Sequence, residues 1–458
     1  MFQLFVDREE ELEVLENRYK SKKPEFIIIY GRRRVGKTEL ILQFTKNKPS
    51  IYFLAEEKQD WENLEEIRNI TAEFLNDDEF RLIKFSNWVE LFRSFSKRVK
   101  ERVVVVIDEF PYLIKQNKTV PSEFQKIWDL YLSKSNIVLI LVGSSIGMME
   151  RILGRKSPLY GRRTAQLEIN PLEIWDIKKF LPSYSIDDLI RVYGCADGIP
   201  LYINCFSDGL PFWSNLRNNF LKRDSLLYME AEILLRQEFR EMTNYFSILK
   251  AISFGNTRHS EISNYANLDK TIVSKYIQNL ERIRIIKREY PITEKKEKRK
   301  DARYRFIDNY FRFWFRFIYP NKMLIEKGEA DRVIEIIKRD YDSYLGHIFE
   351  DIGREFLWKV KPFRFTKIGR WWHKDKEIDL VVLDEIEKQI AFFEVKWRDL
   401  RERQARKTLE KLREKSRAVK WGGVRREEHF GVIAKKIDSK EKLRKEGYIV
   451  FDLRDIKI

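Results

Sequence analysis

The run EFIIIYGRRRVGKTELILQFT, residues 25–45, limits what this chain can fold into more than any other stretch. Glu25–Tyr30 (EFIIIY) is a short apolar run of the kind buried on both faces of a parallel sheet. It leads directly into GRRRVGKT, and the amphipathic segment that follows reads as a helix. Glycines let a backbone curl so that its N–H groups surround an anion, and the helix adds its positive N-terminal end. The spacing G-x-x-x-x-G-K-[ST] therefore predicts a phosphate cradle from the backbone of Gly31, Arg32, Arg33, Arg34, Val35 and Gly36. Lys37 would reach the β- and γ-phosphates of ATP, Thr38 would ligate Mg²⁺, and Glu39 completes the binding segment.

Three more apolar runs, Ile51–Leu54, Val103–Asp108 and Ile137–Val142, alternate with helical patterns that include Asn63–Leu75 and Ser122–Leu132. Alternation of this kind predicts a doubly wound α/β domain, which binds ligands at the C-terminal ends of its strands. VVVVIDEF places Asp108 and Glu109 at such an end. Asp108 would hold Mg²⁺ directly or through water, and Glu109 would polarise the attacking water. The next strand ends in LVGSS, putting Ser144 or Ser145 beside the γ-phosphate. LYGRRT then offers Arg162 and Arg163, either of which could stabilise the transferring phosphoryl group from the same chain or from a neighbour in a homo-oligomer.

At roughly 100–200 residues per domain, 458 residues suggest three or so domains. Lys and Arg number 89 against 72 Asp and Glu, and this surplus of 17 favours a polyanionic partner such as DNA or an anionic membrane surface. From Arg401 onward 19 Lys and Arg face 10 Asp and Glu, so about half of the excess lies there. Only Cys195 and Cys205 are present, which fits a reducing interior and excludes a disulfide framework. No run approaches the ~18 apolar residues of a spanning helix, so a cytoplasmic protein without a membrane segment is expected.

From Pro171 to about Arg240 the pattern turns helical, broken at Gly194–Tyr202. Between about Asn244 and Pro320 three helical patterns precede two strands that flank EKKEKRKD, the layout of a winged helix. Lys270–Arg282 would be its recognition helix, exposing Lys270, Lys275, Gln278 and Arg282, with Lys295–Lys300 as the wing tip. The last region, from about Asp331, opens with YLGHIFEDIGREFLWKV as a helix and continues into the hairpin EIDLVVLDEIEKQIAFFEVKW.

That hairpin carries an acid in each apolar strand. A four-residue turn, Glu385–Lys388, sets Asp379 opposite Glu394 with Lys396 on the same face. Two carboxylates roughly 5 Å apart repel unless a cation stands between them, and a divalent metal would supply it. Lys396 could then orient or activate a water for attack on a phosphodiester. A five-residue turn would misalign the acids and remove the site.

FVDREEEL (Phe5–Leu12), GRRRVGKT, VVVVIDEF, LVGSS, LYGRRT and GIP (Gly198–Pro200) occur in the order of the archaeal P-loop ATPase family, which is similar to the AAA+ and signal-transducing ATPases. The resemblance implies that Asp7 and Arg8 lie near the adenine and that Pro200 belongs to a lid near the nucleotide. The last region resembles the PD-(D/E)XK nucleases, which implies Glu350, Asp379 and Glu394 as metal ligands and Glu394 and Lys396 as catalytic groups. Glu355 rivals Glu350 on the same helix, Gln404 and Lys407 stand where an assisting polar residue is often kept, and Ile378 departs from the pattern's proline. The expected fold class is thus α/β: a P-loop doubly wound parallel sheet (1–170), a helical lid (171–240), a winged helix (241–325) and a restriction-endonuclease-like domain (326–458). The function this implies is an ATP- and Mg²⁺-dependent enzyme acting on DNA. Its rival is a nucleotide-dependent switch that binds a partner or DNA without cutting it.

Overall fold

Strands form where the sequence runs apolar without alternation, because helices cover both faces of the sheet they build. In the computed structural model, which describes residues 5–294, 301–423 and 426–456, the first of these strands are β1 (Glu25–Tyr30), β2 (Ser50–Leu54), β3 (Val103–Asp108), β4 (Ile137–Gly143) and β5 (Ala165–Glu168). They make one parallel sheet in the order β2-β3-β4-β1-β5. Every residue of β1, β3 and β4 is buried. Helices Asp60–Leu75 and Val120–Leu130 stand where their periodicity put them, and the second packs on the sheet through Trp128 against Phe26 of β1.

Register brings the strand ends level: Tyr30 pairs with Gly143, and Leu54 with Asp108. The segments after β1, β3 and β4 therefore emerge side by side at one edge of the sheet, where an α/β fold presents ligand sites. The chain divides into two units, Met1–Leu172 with Ile199–Leu201, and Glu173–Gly198 with Tyr202–Ile458.

The second unit begins with helices that include Ile186–Ala196, Phe212–Phe220 and Leu226–Glu238. Three further helices, Thr243–Ser253, His259–Ala266 and Lys270–Arg282, precede an antiparallel pair, β6 (Ile286–Glu289) and β7 (Arg303–Phe306). Asp269 caps the third helix by accepting from the Thr271 N–H, and Lys270, Lys275, Gln278 and Arg282 are exposed along it. The basic segment Lys295–Lys300 lies outside the described residues.

A 31-residue helix, Ala330–Val360, leads to a five-stranded mixed sheet of order β12-β11-β10-β9-β8. Its strands are β8 (Lys367–His373), β9 (Lys376–Asp384), β10 (Gln389–Leu400), β11 (Glu427–Ile437) and β12 (Ile449–Asp452). β8 to β10 run antiparallel through short turns, whereas β11 runs parallel to β10 and needs a crossover, which helix Glu402–Ser416 supplies. β8 is an addition to the strands read from the sequence. Gly353 lets the long helix approach this sheet: a Cβ there would come within 3.3 Å of Ile433 Cδ1. Among the described residues no helix is long and apolar enough to cross a membrane.

Candidate nucleotide site and C-terminal carboxylate pair

Gly31 follows β1 where the chain has no room for a side chain, since a Cβ would come 2.2 Å from the Ile169 carbonyl oxygen. Gly36 has φ 91° and Arg34 φ 71°, so the loop turns twice through left-handed backbone before the helix Lys37–Thr45 begins. No side chain caps that helix, and its first N–H groups are left for an anion. Pro200 approaches the same glycine, its Cγ 4.0 Å from where a Gly36 Cβ would stand.

The Lys37 ammonium donates to the carbonyls of Gly31 (2.9 Å) and Arg32 (2.8 Å), closing the loop on itself. Burial presses its pKa down to about 8, against the opposing charges of Glu109 and Asp108. Arg33 is held by the Tyr112 hydroxyl at 2.8 Å. Arg8, 6% exposed, donates to Val35 O (3.2 Å) and Asn170 O (2.6 Å) and so braces the loop from behind. It and Asp7 both have positive φ, 81° and 61°.

Asp108 ends β3 and gathers three donors. Thr38 Oγ1 (3.0 Å) and the Tyr52 hydroxyl (2.6 Å) both donate to Oδ2, while the Glu109 N–H donates to Oδ1 at 2.8 Å. Burial, then the bond to Asp108, pushes the Tyr52 phenol well above its usual range, so it stays a donor. Glu109 has φ 51° and ψ 39°, strained for a side chain of its size and worth ~1–3 kcal/mol. Its Oε2 accepts from Ser144 Oγ at 2.8 Å, so of the two serines it is Ser144 that meets the acid. Thr38 and Asp108 present adjacent hard oxygen donors, a set that suits Mg²⁺.

Arg162 and Arg163 stand elsewhere. Ala165 pairs with Ile27, and Thr164 N donates to Phe26 O, so the two arginines enter the sheet beside the start of β1, while Gly31 follows its end. Arg162 forks onto Asp129 at 2.8–3.0 Å, and Arg163 reaches Leu153 O at 3.4 Å. Parallel topology thus corrects the same-chain reading of these arginines: they lie at the sheet edge opposite the loop they were expected to serve.

In the second unit Asp384 pairs with Gln389, and Leu380 with Phe393, so the connection is the four-residue one, Glu385–Lys388. Asp384 Oδ1 fixes it by accepting from the N–H groups of Ile386 and Glu387. The ladder ends there, and Asp379 Oδ2 accepts the Val395 N–H instead, at 2.8 Å. Lys396 Nζ lies between the acids, 2.8 Å from Asp379 Oδ2 and 2.5 Å from Glu394 Oε2, and Lys415 takes the other oxygen of Glu394 at 2.6 Å. Burial first, and then Glu394, pushes Asp379 up to about 7. Among the described residues no group of three or more His, Cys, Asp or Glu is arranged to hold a metal ion. Glu350 is bonded to Arg370 Nε (2.9 Å) and His347 (3.2 Å), and Glu355 is raised to about 8, by burial of its carboxyl first and Asp351 second. In this arrangement Lys396 and Lys415 hold the carboxylate oxygens that a cation would take.

Tyr52, Tyr112 and Arg370 were not expected from the sequence. Only the fold brings each of them to an acid or a loop arginine.

Residues 5–206 match the family described as an ATPase domain predominantly from Archaea, and residues 314–408 match one described as archaeal and bacterial proteins of unknown function. The uncharacterized protein MJECL04 of Methanocaldococcus jannaschii is 42% identical over 99% of this chain and 100% of its own length. A shorter protein of that organism, the uncharacterized ATP-binding protein MJ0423, is 58% identical over 45 residues, 10% of this chain and 76% of its own. The Walker-type ATPase PABY2304 of Pyrococcus abyssi shares the fold, with a TM-score of 0.53 at 22% identity over 68% of this chain and 96% of that one. By its full-length likeness to MJECL04 the chain belongs to that protein's family, and within it residues 5–206 form an archaeal ATPase domain.

Proposed function

We propose that the chain binds and hydrolyses ATP at the Gly31–Thr38 loop. The observation that carries this reading is the continuous chain of contacts Thr38–Asp108–Glu109–Ser144 across the ends of β1, β3 and β4. The loop N–H groups and Lys37 would receive the phosphates, with Lys37 exchanging its two carbonyl partners for phosphate oxygens. Mg²⁺, held by Thr38 and Asp108, would neutralise charge on the β- and γ-phosphates. Glu109, aimed by Ser144, would accept a hydrogen bond from the attacking water and hold it in line. Tyr52 would hold Asp108 in its orientation. Arg8 would act on this site by bracing the loop, and Pro200 by covering Gly36. Arg162 and Arg163 could serve only the nucleotide of a neighbouring copy. Phosphate release from ATP tests the reading: Lys37→Ala should lose both nucleotide binding and turnover, and normal turnover in that variant refutes it.

For the second unit we propose DNA contact, with the domain limits 171–240, 241–325 and 326–458 as a lid, a winged helix and a nuclease-like domain. Support comes from the exposed Lys270, Lys275, Gln278 and Arg282 on one helix and from the meeting of Asp379, Glu394 and Lys396. With Lys396 between the acids and Glu350 on Arg370, the reading favoured is a nucleotide-controlled DNA-binding protein that does not cut. Plasmid incubated with Mg²⁺ or Mn²⁺ decides: intact plasmid is expected, and cleavage abolished by Asp379→Ala would establish the nuclease instead.

A further inference from the structure

The second unit contains a cavity of about 300 Å³ walled by the end of helix Thr243–Ser253, by β7, by the 312–316 segment and by the middle of the Ala330–Val360 helix. Arg303, Arg305, Arg312 and Arg316 line it, and Glu377 is the one carboxylate among the described lining residues. Glu377 is already shared, accepting from Arg303 Nη1 at 2.7 Å and Arg305 Nη2 at 3.2 Å. Arg305 is 3.2 Å from Glu289 as well, but Glu289 also serves Arg370 and Lys287. Arg316 has a longer contact to Asp340, 3.4 Å.

An ion-pair lattice that holds Glu377 accounts for Arg303 and Arg305, and Arg316 pairs with Asp340 and lies 4.4 Å from the centre of the Phe254 ring, which leaves Arg312 unexplained. Arg312 has no acid within ion-pair distance among the described residues; its guanidinium lies 5.6 Å from the centre of the Tyr344 ring. The Arg303 Nε is buried and has no hydrogen-bond acceptor. Burial, followed by the nearby Arg370, holds the Arg305 guanidinium below its usual range, the mark of crowded positive charge. Guanidinium groups converging on a recess beside aromatic faces suit a tetrahedral oxyanion, because each planar fork donates two parallel hydrogen bonds. The volume matches the lower end of small-molecule sites.

We propose that this cavity binds a small phosphorylated ligand, whose phosphate groups are received by Arg312 and Arg316. The site is separate from the nucleotide loop and does not depend on ATP hydrolysis there. Inorganic pyrophosphate is the probe, titrated calorimetrically into the full chain without Mg²⁺. Lys37→Ala removes binding at the loop, and that variant should retain one pyrophosphate site. Adding Arg312→Gln should weaken the retained site by about tenfold or more, the loss expected for a charge-assisted contact. Arg316→Gln in the same background should do likewise, which protects the test if one variant fails to fold. A Lys37→Ala chain that takes up no pyrophosphate overturns the proposal, as does unchanged affinity in folded Arg312→Gln. A short oligonucleotide should bind the cavity more weakly than pyrophosphate; tighter, Arg312-dependent binding of the oligonucleotide would assign the arginines to a nucleic-acid backbone and overturn it too.

Discussion

Ser144 Oγ donates to Glu109 Oε2 across 2.8 Å, joining the end of β4 to the residue that follows β3. Glu109 sits in left-handed backbone, so its carboxylate has few ways to be aimed, and Ser144 selects one. Ser144→Ala should therefore lower kcat for ATP hydrolysis by about tenfold while leaving KM within about twofold, the pattern of a positioning residue. Steady-state phosphate release across ATP concentrations checks it; a rise in KM with kcat unchanged would make Ser144 a binding group instead.

Lys37 predicts a pH dependence. Its pKa of about 8 in the free protein lies below the ordinary 10.5, because burial disfavours the ammonium. Phosphate favours the charged form, so binding is proton-independent below pH 8 and must take up a proton above it. Nucleotide affinity should hold from pH 6.5 to 7.5 and fall as pH rises through 8, approaching tenfold per pH unit at the steep part of the curve. Fluorescent-nucleotide titration between pH 6.5 and 9.5 measures this.

Gly31 tolerates no side chain, because Ile169 O occupies the place of its Cβ. Gly31→Ala should force the loop away from β5 at a cost of about 1–3 kcal/mol in denaturant-measured stability, and should abolish nucleotide binding.

Arg370, 4% exposed, gathers Glu289, Glu350 and Asp351 and so ties β6 and the long helix to β8. Burial alone would raise Glu289, but Arg370, Lys287 and Arg305 outweigh it and hold it at about 2. In Glu350 the His347 bond and Arg370 likewise overcome burial, to about 2. Folded pKa values below the ordinary 4.5 mean that the stabilisation is complete above that pH and is lost as pH falls from 4.5 toward 2. Urea midpoints of the full chain should drop over that window, and Arg370→Met should lower stability at pH 7 by about 3–5 kcal/mol.

The first unit was legible because its information is local. An apolar run, a glycine loop and a strand-end acid each announce themselves within a few residues, and parallel pairing then brings Gly31, Asp108 and Ser144 together. Arg162 and Arg163 show the limit: their place depends on which end of β5 they enter, and spacing does not encode that. The hairpin turn could be narrowed to two registers, and Asp384 fixed one of them. That Lys396 would close the acid pair, and Arg370 draw off Glu350, depends on contacts across 17 and 20 residues of sequence. β8 was missed because Trp371 and Trp372 are adjacent and both buried, which breaks the alternation of a half-exposed strand.

Turnover by Glu109→Gln tests the central claim most directly. The variant keeps the loop, Lys37, Thr38 and Asp108, so it should bind ATP within about threefold of wild type and release phosphate at least about a hundredfold more slowly. Wild-type phosphate release by Glu109→Gln, with nucleotide bound at the same loop, would contradict the account.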